Sequence, residues 1–309
     1  MKRIIPCVLV TLTLILAGFF LPVLGFVGLM LCPLPLAVLG CLEGQKRMGI
    51  AEFTIELTLF ILLSPSMAVY FLLGCAPVAA AIYFVSRTDI KEVKKFTAPE
   101  SLLICSGASI IFKTILLAAF YFFTGKNIFF PDAAQMALTL EQLYGDNPEL
   151  QKAVAQVLVI FPYLLPTLLT VYAGVETFLI YVLCGRFVKK FAPKSKNFPP
   201  SLPEFKTWRF PVSLLIVAVI SLIMSYFVNT DTWFDGAIYL MNLQIVINVF
   251  LFIQGLAAAF WIMDGFKLKR RTKIFIFLIL MIPFFWAWLI VIGMSDMTLN
   301  LRERIKFKS

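Results

Sequence analysis

Phe53–Val85 reads FTIELTLFILLSPSMAVYFLLGCAPVAAAIYFV, 33 residues in which Glu56 is the only charge. A bilayer crossing takes about 20 apolar residues, so this stretch is too long for one ordinary transmembrane helix. Ser64-Pro65-Ser66 sits where a hairpin would turn, because the residue before a proline leaves the helical region. The stretch therefore divides into Gly49–Leu63, which is short, and Ser66–Ser86. Two adjacent apolar segments joined by so tight a turn make the chain polytopic.

The remaining sequence repeats the pattern. Apolar runs cover Ile4–Gly25, Phe26–Leu42 (with Pro33 and Pro35), Leu102–Phe123, Val157–Cys184 (with Pro162 and Pro166), Pro211–Val228, Ala237–Met263 and Ile274–Gly293. The fold expected is all-α: one integral membrane domain over residues 1–309, a transmembrane helical bundle of eight or nine spans with no soluble domain. Of the 309 residues, 61% are hydrophobic and 14% charged, with mean hydropathy +0.94. A soluble domain is nearer half apolar and a quarter charged, which excludes an ordinary soluble enzyme. Met1-Lys2-Arg3 ahead of an apolar run resembles a signal peptide. The run is too long for a typical one and further spans follow, so a retained first helix is expected.

Histidine is absent, which removes His-dependent catalysis, His metal ligands and His proton relays. No Walker lysine loop, GxSxG or metalloprotease helix occurs, so no enzyme is expected, and neither a cofactor nor a metal site. Cys7, Cys32, Cys41, Cys75, Cys105 and Cys184 fall in or beside apolar runs without a CxxC pair, and read as small buried hydrophobes.

Charge orients the chain. Of the 27 Lys and Arg, 20 lie at the N-terminus, near residue 46, in 87–95, in 186–209 and in 267–273. The opposite loops hold Lys126 and Lys152 among several carboxylates. By the positive-inside rule the N-terminus is cytoplasmic, in a bacterial inner membrane, and the net charge of +10 calls for no nucleic acid. Residues 186–210, basic and with Pro193, Pro199, Pro200 and Pro203, read as an extended cytoplasmic linker. Residues 131–156 read as an extracytoplasmic amphipathic segment: Asp132 and Gln135 suit a helix start, Met136, Leu140 and Leu143 share a face, Gly145 stops it, and Asn147-Pro148 opens the next helix. One feature disagrees. Nine spans put Arg302, Arg304, Lys306 and Lys308 outside, so either the tail is an exception or a short segment near 26–66 is re-entrant.

Ionisable groups at membrane depth cost about 2.5–3.5 kcal/mol each if they face lipid, and so point to interior roles. Three qualify. Lys113 lies roughly 16 Å into its span and Glu176 roughly 14 Å into the next, nearly level and of opposite sign. An ion pair is expected, which Glu56, about 9–10 Å deep, would join through the long lysine side chain. The pair either locks two helices together or binds a polar substrate or moves a proton. The span Ala237–Met263 carries Asn242, Gln244, Asn248 and Gln254. At the helical period Gln244, Asn248 and Gln254 fall within one broad sector while Asn242 points elsewhere. They are either interhelical glue or one wall of a cavity. Gly255-xxx-Ala259 and Ala76-xxx-Ala80 suit close helix contact. Asp264 and Asp296 sit at helix ends and read as hydrated carboxylates.

Three further stretches carry a resemblance. Leu202-Pro203-Glu204-Phe205-Lys206-Thr207-Trp208-Arg209-Phe210-Pro211 precedes a span; Asn242 and Phe252-Ile253-Gln254-Gly255-Leu256-Ala257 share the next helix; Gly293-Met294-Ser295-Asp296, with Arg302, closes the last. Together with the acidic segment before the sixth span, they resemble the YybS-like family of bacterial polytopic membrane proteins, a domain of unknown function. The resemblance implies a fold distantly similar to the substrate-binding S components of energy-coupling-factor vitamin transporters and to the cell-shape protein MreD. S components dock their coupling subunit through an AxxxA pattern in the first helix. Here that helix holds only Ala17, so that mode of docking is not expected.

The leading expectation is a small-ligand-binding transporter component of S-component type. Its cavity would lie between Pro33–Pro35, Ser64–Pro65, Lys113, Glu176 and the amide face of the eighth span. The alternative is a structural or assembly scaffold of the envelope, MreD-like, with no ligand. The partners so admitted are the lipid bilayer, a small-molecule ligand and another membrane protein. The interior around Lys113 discriminates: a transporter needs a polar, hydrated cavity there, a scaffold a dry, closed ion pair.

Overall fold

The computed structural model describes residues 3–87, 96–125, 148–193, 197–227 and 234–305, and every regular element in them is helical. Two compact units emerge: Met1–Val159 with Leu168–Leu202, and Ile160–Thr167 with Pro203–Ser309.

The first unit contains α1 (Ile4–Phe20), α2 (Pro22–Leu31), α3 (Pro33–Glu43), α4 (Gln45–Leu62), α5 (Pro65–Tyr70), a π-helical turn (Phe71–Cys75), α6 (Ala76–Ser86), α7 (Ala98–Thr124) and most of α8 (Pro148–Phe191). Proline sets its punctuation. Leu21 is extended and Pro22 opens α2, which breaks the apolar run expected as one helix over Ile4–Gly25. The chain also turns at Leu63–Ser64, where the Ser64 side chain caps α5 by accepting from Met67 N. The wide π turn lies just ahead of Pro77, which lacks the N–H that a regular turn needs. Thr97 and Glu100 form a reciprocal capping box at the start of α7, and Gly125, at φ 64°, ends it in the left-handed conformation.

The core of this unit is Cys32, Leu36, Ala37, Ile55, Phe71, Val78, Ala79 and Ile82 with their neighbours. Helix α3 packs on α6 closely enough that a Cβ on Gly40 would sit 3.3 Å from Tyr83 Cβ. In α6, Ala76 and Ala79 are buried while Ala80 is exposed, so the contact follows the helical period rather than Ala76-xxx-Ala80. Of the expected amphipathic segment 131–156, residues 131–147, with Asp132, Gln135, Met136, Leu140, Leu143 and Gly145, lie outside the described residues. Pro148 already begins α8. The basic residues Lys91, Lys94 and Lys95 also lie outside them.

The second unit holds a 3-10 turn (Phe205–Thr207), α9 (Val212–Phe227), α10 (Phe234–Gly265), α11 (Arg270–Leu280), a 3-10 turn (Pro283–Phe285), α12 (Trp286–Leu299) and the short α13 (Leu301–Arg304), with Ile160–Thr167 of α8. Leu215 and Ala218 of α9 pack with Ile247 and Leu251 of α10 and Met297 of α12. Helices α10 and α12 touch backbone to backbone. A Cβ on Gly255 would lie 1.8 Å from Leu289 O, and one on Gly293 2.1 Å from Leu251 O. Glycine is required at both positions. The partner of Gly255 is thus Gly293 on another helix, and Ala259 is only half-buried.

Four described helical stretches are long and apolar enough to cross a membrane: Pro65–Ser86, Ala98–Phe123, Ile160–Phe191 and Gly236–Gly265. A fifth is added if Arg270–Leu280 and Pro283–Leu299 count as one span, although an 87° bend separates them. Eight or nine spans were expected. Ile4–Gly18, Val27–Glu43 and Val212–Phe227 are apolar but of 17 residues or fewer, and α4 carries Lys46, Arg47, Glu52 and Glu56. The expected ninth span, Ile274–Gly293, is broken at Pro283.

Candidate functional site

Lys113 and Glu176 occupy facing helices of the first unit, with 7% and 1% of their surface exposed. Lys113 Nζ lies 2.6 Å from Glu176 Oε2, and the remaining donors go to Gly74 O at 2.9 Å and Ser109 Oγ at 3.0 Å. Ser109, one turn before Lys113, also donates to Glu176 Oε2 at 3.2 Å. The Tyr172 ring, one turn before Glu176, lies 5.7 Å from the ammonium. An ammonium has three protons, and all three are used. Gly74 belongs to the π turn, so the irregular backbone supplies the third acceptor.

Glu56 does not join this group. It sits half-buried in α4, one carboxylate oxygen is buried without a hydrogen-bond partner, and Lys113 has no proton left for it. The expected three-residue cluster is a pair.

The amides of α10 belong to the second unit and do not share a wall. Gln244 Nε2 reaches Ser221 O of α9 at 3.5 Å, Asn248 is exposed, and Asn242 Nδ2 donates to Tyr163 O at 3.1 Å. Gln254 is buried and fully engaged: its Nε2 donates to Asp296 Oδ2 at 2.6 Å, and its Oε1 accepts from Phe210 N at 3.0 Å. The expected wall of Gln244, Asn248 and Gln254 is not formed: Gln244 and Gln254 are held by different neighbours and Asn248 is exposed.

Sequence reasoning missed the strongest polar cluster. Asp296, 3% exposed, is no hydrated helix end. Arg302 Nη2 stands 2.9 Å from its Oδ2, and Arg302 Nη1 donates to Lys206 O at 2.5 Å. Asn300, at φ 47°, reverses the chain so that Arg302 returns over Asp296. Nearby, Asp264 accepts from Lys273 and pairs with Lys206 at 3.0 Å, and Lys206 also pairs with Glu204 at 2.8 Å. Hydrogen bonds to Glu204 first and then Asp264 push the Lys206 pKa up to about 12. The linker, the C-terminal end of α10, the start of α11 and the residues after α12 therefore meet at one end of the unit. The signal was present: Gln254, Gly255, Gly293, Asp296, Arg302 and Lys206 all fall in the stretches that carry the family resemblance.

All six cysteines are buried and free, with Cys32 and Cys75 sulfurs 3.0 Å apart and those of Cys41 and Cys184 3.9 Å apart. Among the described residues no group of three or more acidic or cysteine side chains forms a metal site.

The model of the DUF2232 family, described as a predicted membrane protein, matches residues 9–297, and the chain belongs to that family. It is 25% identical over 304 residues to the uncharacterized protein YybS of Bacillus subtilis (strain 168), covering 93% of this chain and 92% of the relative. No solved structure matches.

Proposed function

We propose that this DUF2232 membrane protein is a non-enzymatic scaffold or assembly protein of the bacterial cytoplasmic membrane, working through helix contacts with another membrane protein. One observation carries the reading: every proton of the Lys113 ammonium is taken by protein in a buried pair. A ligand-binding lysine keeps donors for its ligand. Here any ligand would have to displace Glu176, Ser109 and a backbone carbonyl at once, leaving them buried and unpaired. The transporter-component reading fares worse for a second reason. Of the α10 amides that would have bounded a cavity, Gln244 is engaged by Ser221 and Gln254 by Phe210 and Asp296, and Asn248 is exposed.

The same reading places the N-terminus and the basic linker in the cytoplasm. It also puts the C-terminal tail there, since Arg302 holds the carbonyl of Lys206 and Arg209 pairs with Glu303 at 2.8 Å. A broken α11–α12 that returns to its side of entry removes the conflict between span number and tail charge.

Photo-crosslinking in native membranes tests the proposal. Helix α7 offers exposed Leu103, Ile111 and Phe122, on a span of which only 17% is buried. A cross-linker at these positions should trap one discrete membrane protein, with equal yield in Lys113→Met/Glu176→Gln. Diffuse lipid adducts alone at all three positions would sink the scaffold reading.

A further inference from the structure

The segment 266–273 carries an imbalance that neither the ion-pair core nor the scaffold reading uses. Lys267, Lys269, Arg270 and Arg271 are all exposed and stand outside every ion pair among the described residues. Lys273 differs: Asp264 neutralises it, and Asp264 is itself shared with Lys206. Four uncompensated cations within five residues repel one another, and a compact unit gains nothing from ordering them. The positive-inside rule accounts for their side of the membrane, and their clustering without carboxylates leaves a surface complementary to an anion.

Directly beside them lies a cavity of about 250 Å³ lined by Phe260, Arg270, Lys273, Ile274 and Phe277. Its walls are rings and aliphatic stems, with Phe260 and Phe277 5.8 Å apart between centroids. Arg270 and Lys273, one helical turn apart, both line it, and of the two only Arg270 has no carboxylate partner. The position in the fold is equally specific. Helix α10 emerges from its apolar span at Gly265, and α11 leaves at 87° to α12. In α11, which starts next to the end of that span, Ile274, Phe275 and Leu278 stay exposed.

A cationic mouth, an apolar slot behind it and a place at the end of a span fit an amphiphile with a negative head. We propose that this corner is a binding site for an anionic phospholipid: the phosphate is held by Arg270, with Arg271, Lys269 and Lys267 around it, and the upper acyl chain lies against Phe260, Ile274 and Phe277. Basic pockets at the ends of membrane helices hold such headgroups by the same combination of charge and chain. The site requires only that α10 and α11 meet at the interface, so it stands or falls separately from the scaffold reading.

The test uses the full chain in mild detergent, titrated with phosphatidylglycerol or phosphatidylcholine of the same acyl chains and read by native mass spectrometry. Phosphatidylglycerol should be retained in preference. At about 1 kcal/mol per interfacial cation, Arg270→Gln/Arg271→Gln should weaken it about 30-fold, and Arg270→Lys/Arg271→Lys should keep most of the affinity. Both arginines are exposed, so an unchanged thermal unfolding midpoint verifies that the glutamine variant is folded. Equal retention of the two lipids by the wild-type chain would overturn the proposal without any variant. So would displacement of phosphatidylglycerol by inorganic phosphate, which would show a bare anion patch with no role for the apolar slot.

Discussion

Arg302 lies six residues beyond Asp296 and turns back to it, its Nη2 2.9 Å from Asp296 Oδ2, while Gln254 of α10 holds the same oxygen at 2.6 Å. One carboxylate oxygen thus joins the last helix, the neighbouring span and, through Arg302, the linker carbonyl of Lys206. Both ionic side chains are almost wholly buried, at 4% and 1% exposure. Asp296→Ala or Arg302→Ala should therefore cost about 3–5 kcal/mol, the amount associated with leaving one partner of a buried pair alone. Arg302→Lys should recover little, since an ammonium cannot reproduce the planar fork. Thermal unfolding in detergent measures this; a loss under about 1 kcal/mol would mean that the cluster is solvated.

The crossing of α10 and α12 depends on two glycines. Gly255→Ala and Gly293→Ala each drive a methyl into backbone carbonyl, an atom that cannot rotate away. Each should destabilise by about 1–3 kcal/mol or more. Gly49→Ala is the control. A Cβ there meets nothing within 4 Å, and relief of glycine's backbone entropy in helix α4 should stabilise by about 0.5–1 kcal/mol. Equal effects at the three positions would contradict the close approach.

Those glycines show what was legible. Gly255 could be marked from sequence as a contact position, but its partner Gly293 is on another helix, and no spacing rule connects them. The all-helical class and the turn at Ser64–Pro65 follow from apolar length and proline, which act locally. Span number does not. Whether Ile274–Gly293 runs straight depends on how Pro283 is accommodated, and the break is visible only in three dimensions. Lys113 and Glu176 were legible as a level, opposite pair because depth can be counted at a fixed rise per residue. Glu56 falls within reach of Lys113 by side-chain length alone, but Gly74 and Ser109 compete for the same protons. The burial of Asp296 is not legible in sequence because its partner Arg302 arrives by a left-handed turn at Asn300.

The position of the tail gives a topological prediction. Single cysteines replacing Lys267 and Glu303, in a chain whose six buried cysteines are changed to alanine or serine, should behave alike. Both should resist an impermeant maleimide in intact cells and react after lysis. Labelling of one position but not the other in intact cells would place the two ends of α11–α12 on opposite sides and restore a full crossing.

The ion pair predicts a double-mutant relationship. Lys113→Met alone leaves Glu176 and Gly74 O buried without their cation and should cost about 3–5 kcal/mol. Glu176→Gln added to it removes the orphaned charge and should restore part of the folded yield. A double variant no better than the worse single one would show that the two residues do not act on each other.

The central claim is that the buried pair is closed to any ligand, and native mass spectrometry of the purified wild-type chain in mild detergent tests it most directly. The account predicts the mass of the protein with lipid adducts alone, unchanged in pattern when Lys113 and Glu176 are replaced together. A stoichiometric polar metabolite on the wild-type chain, lost on Lys113→Met, would contradict it and return the protein to the ligand-binding transporters.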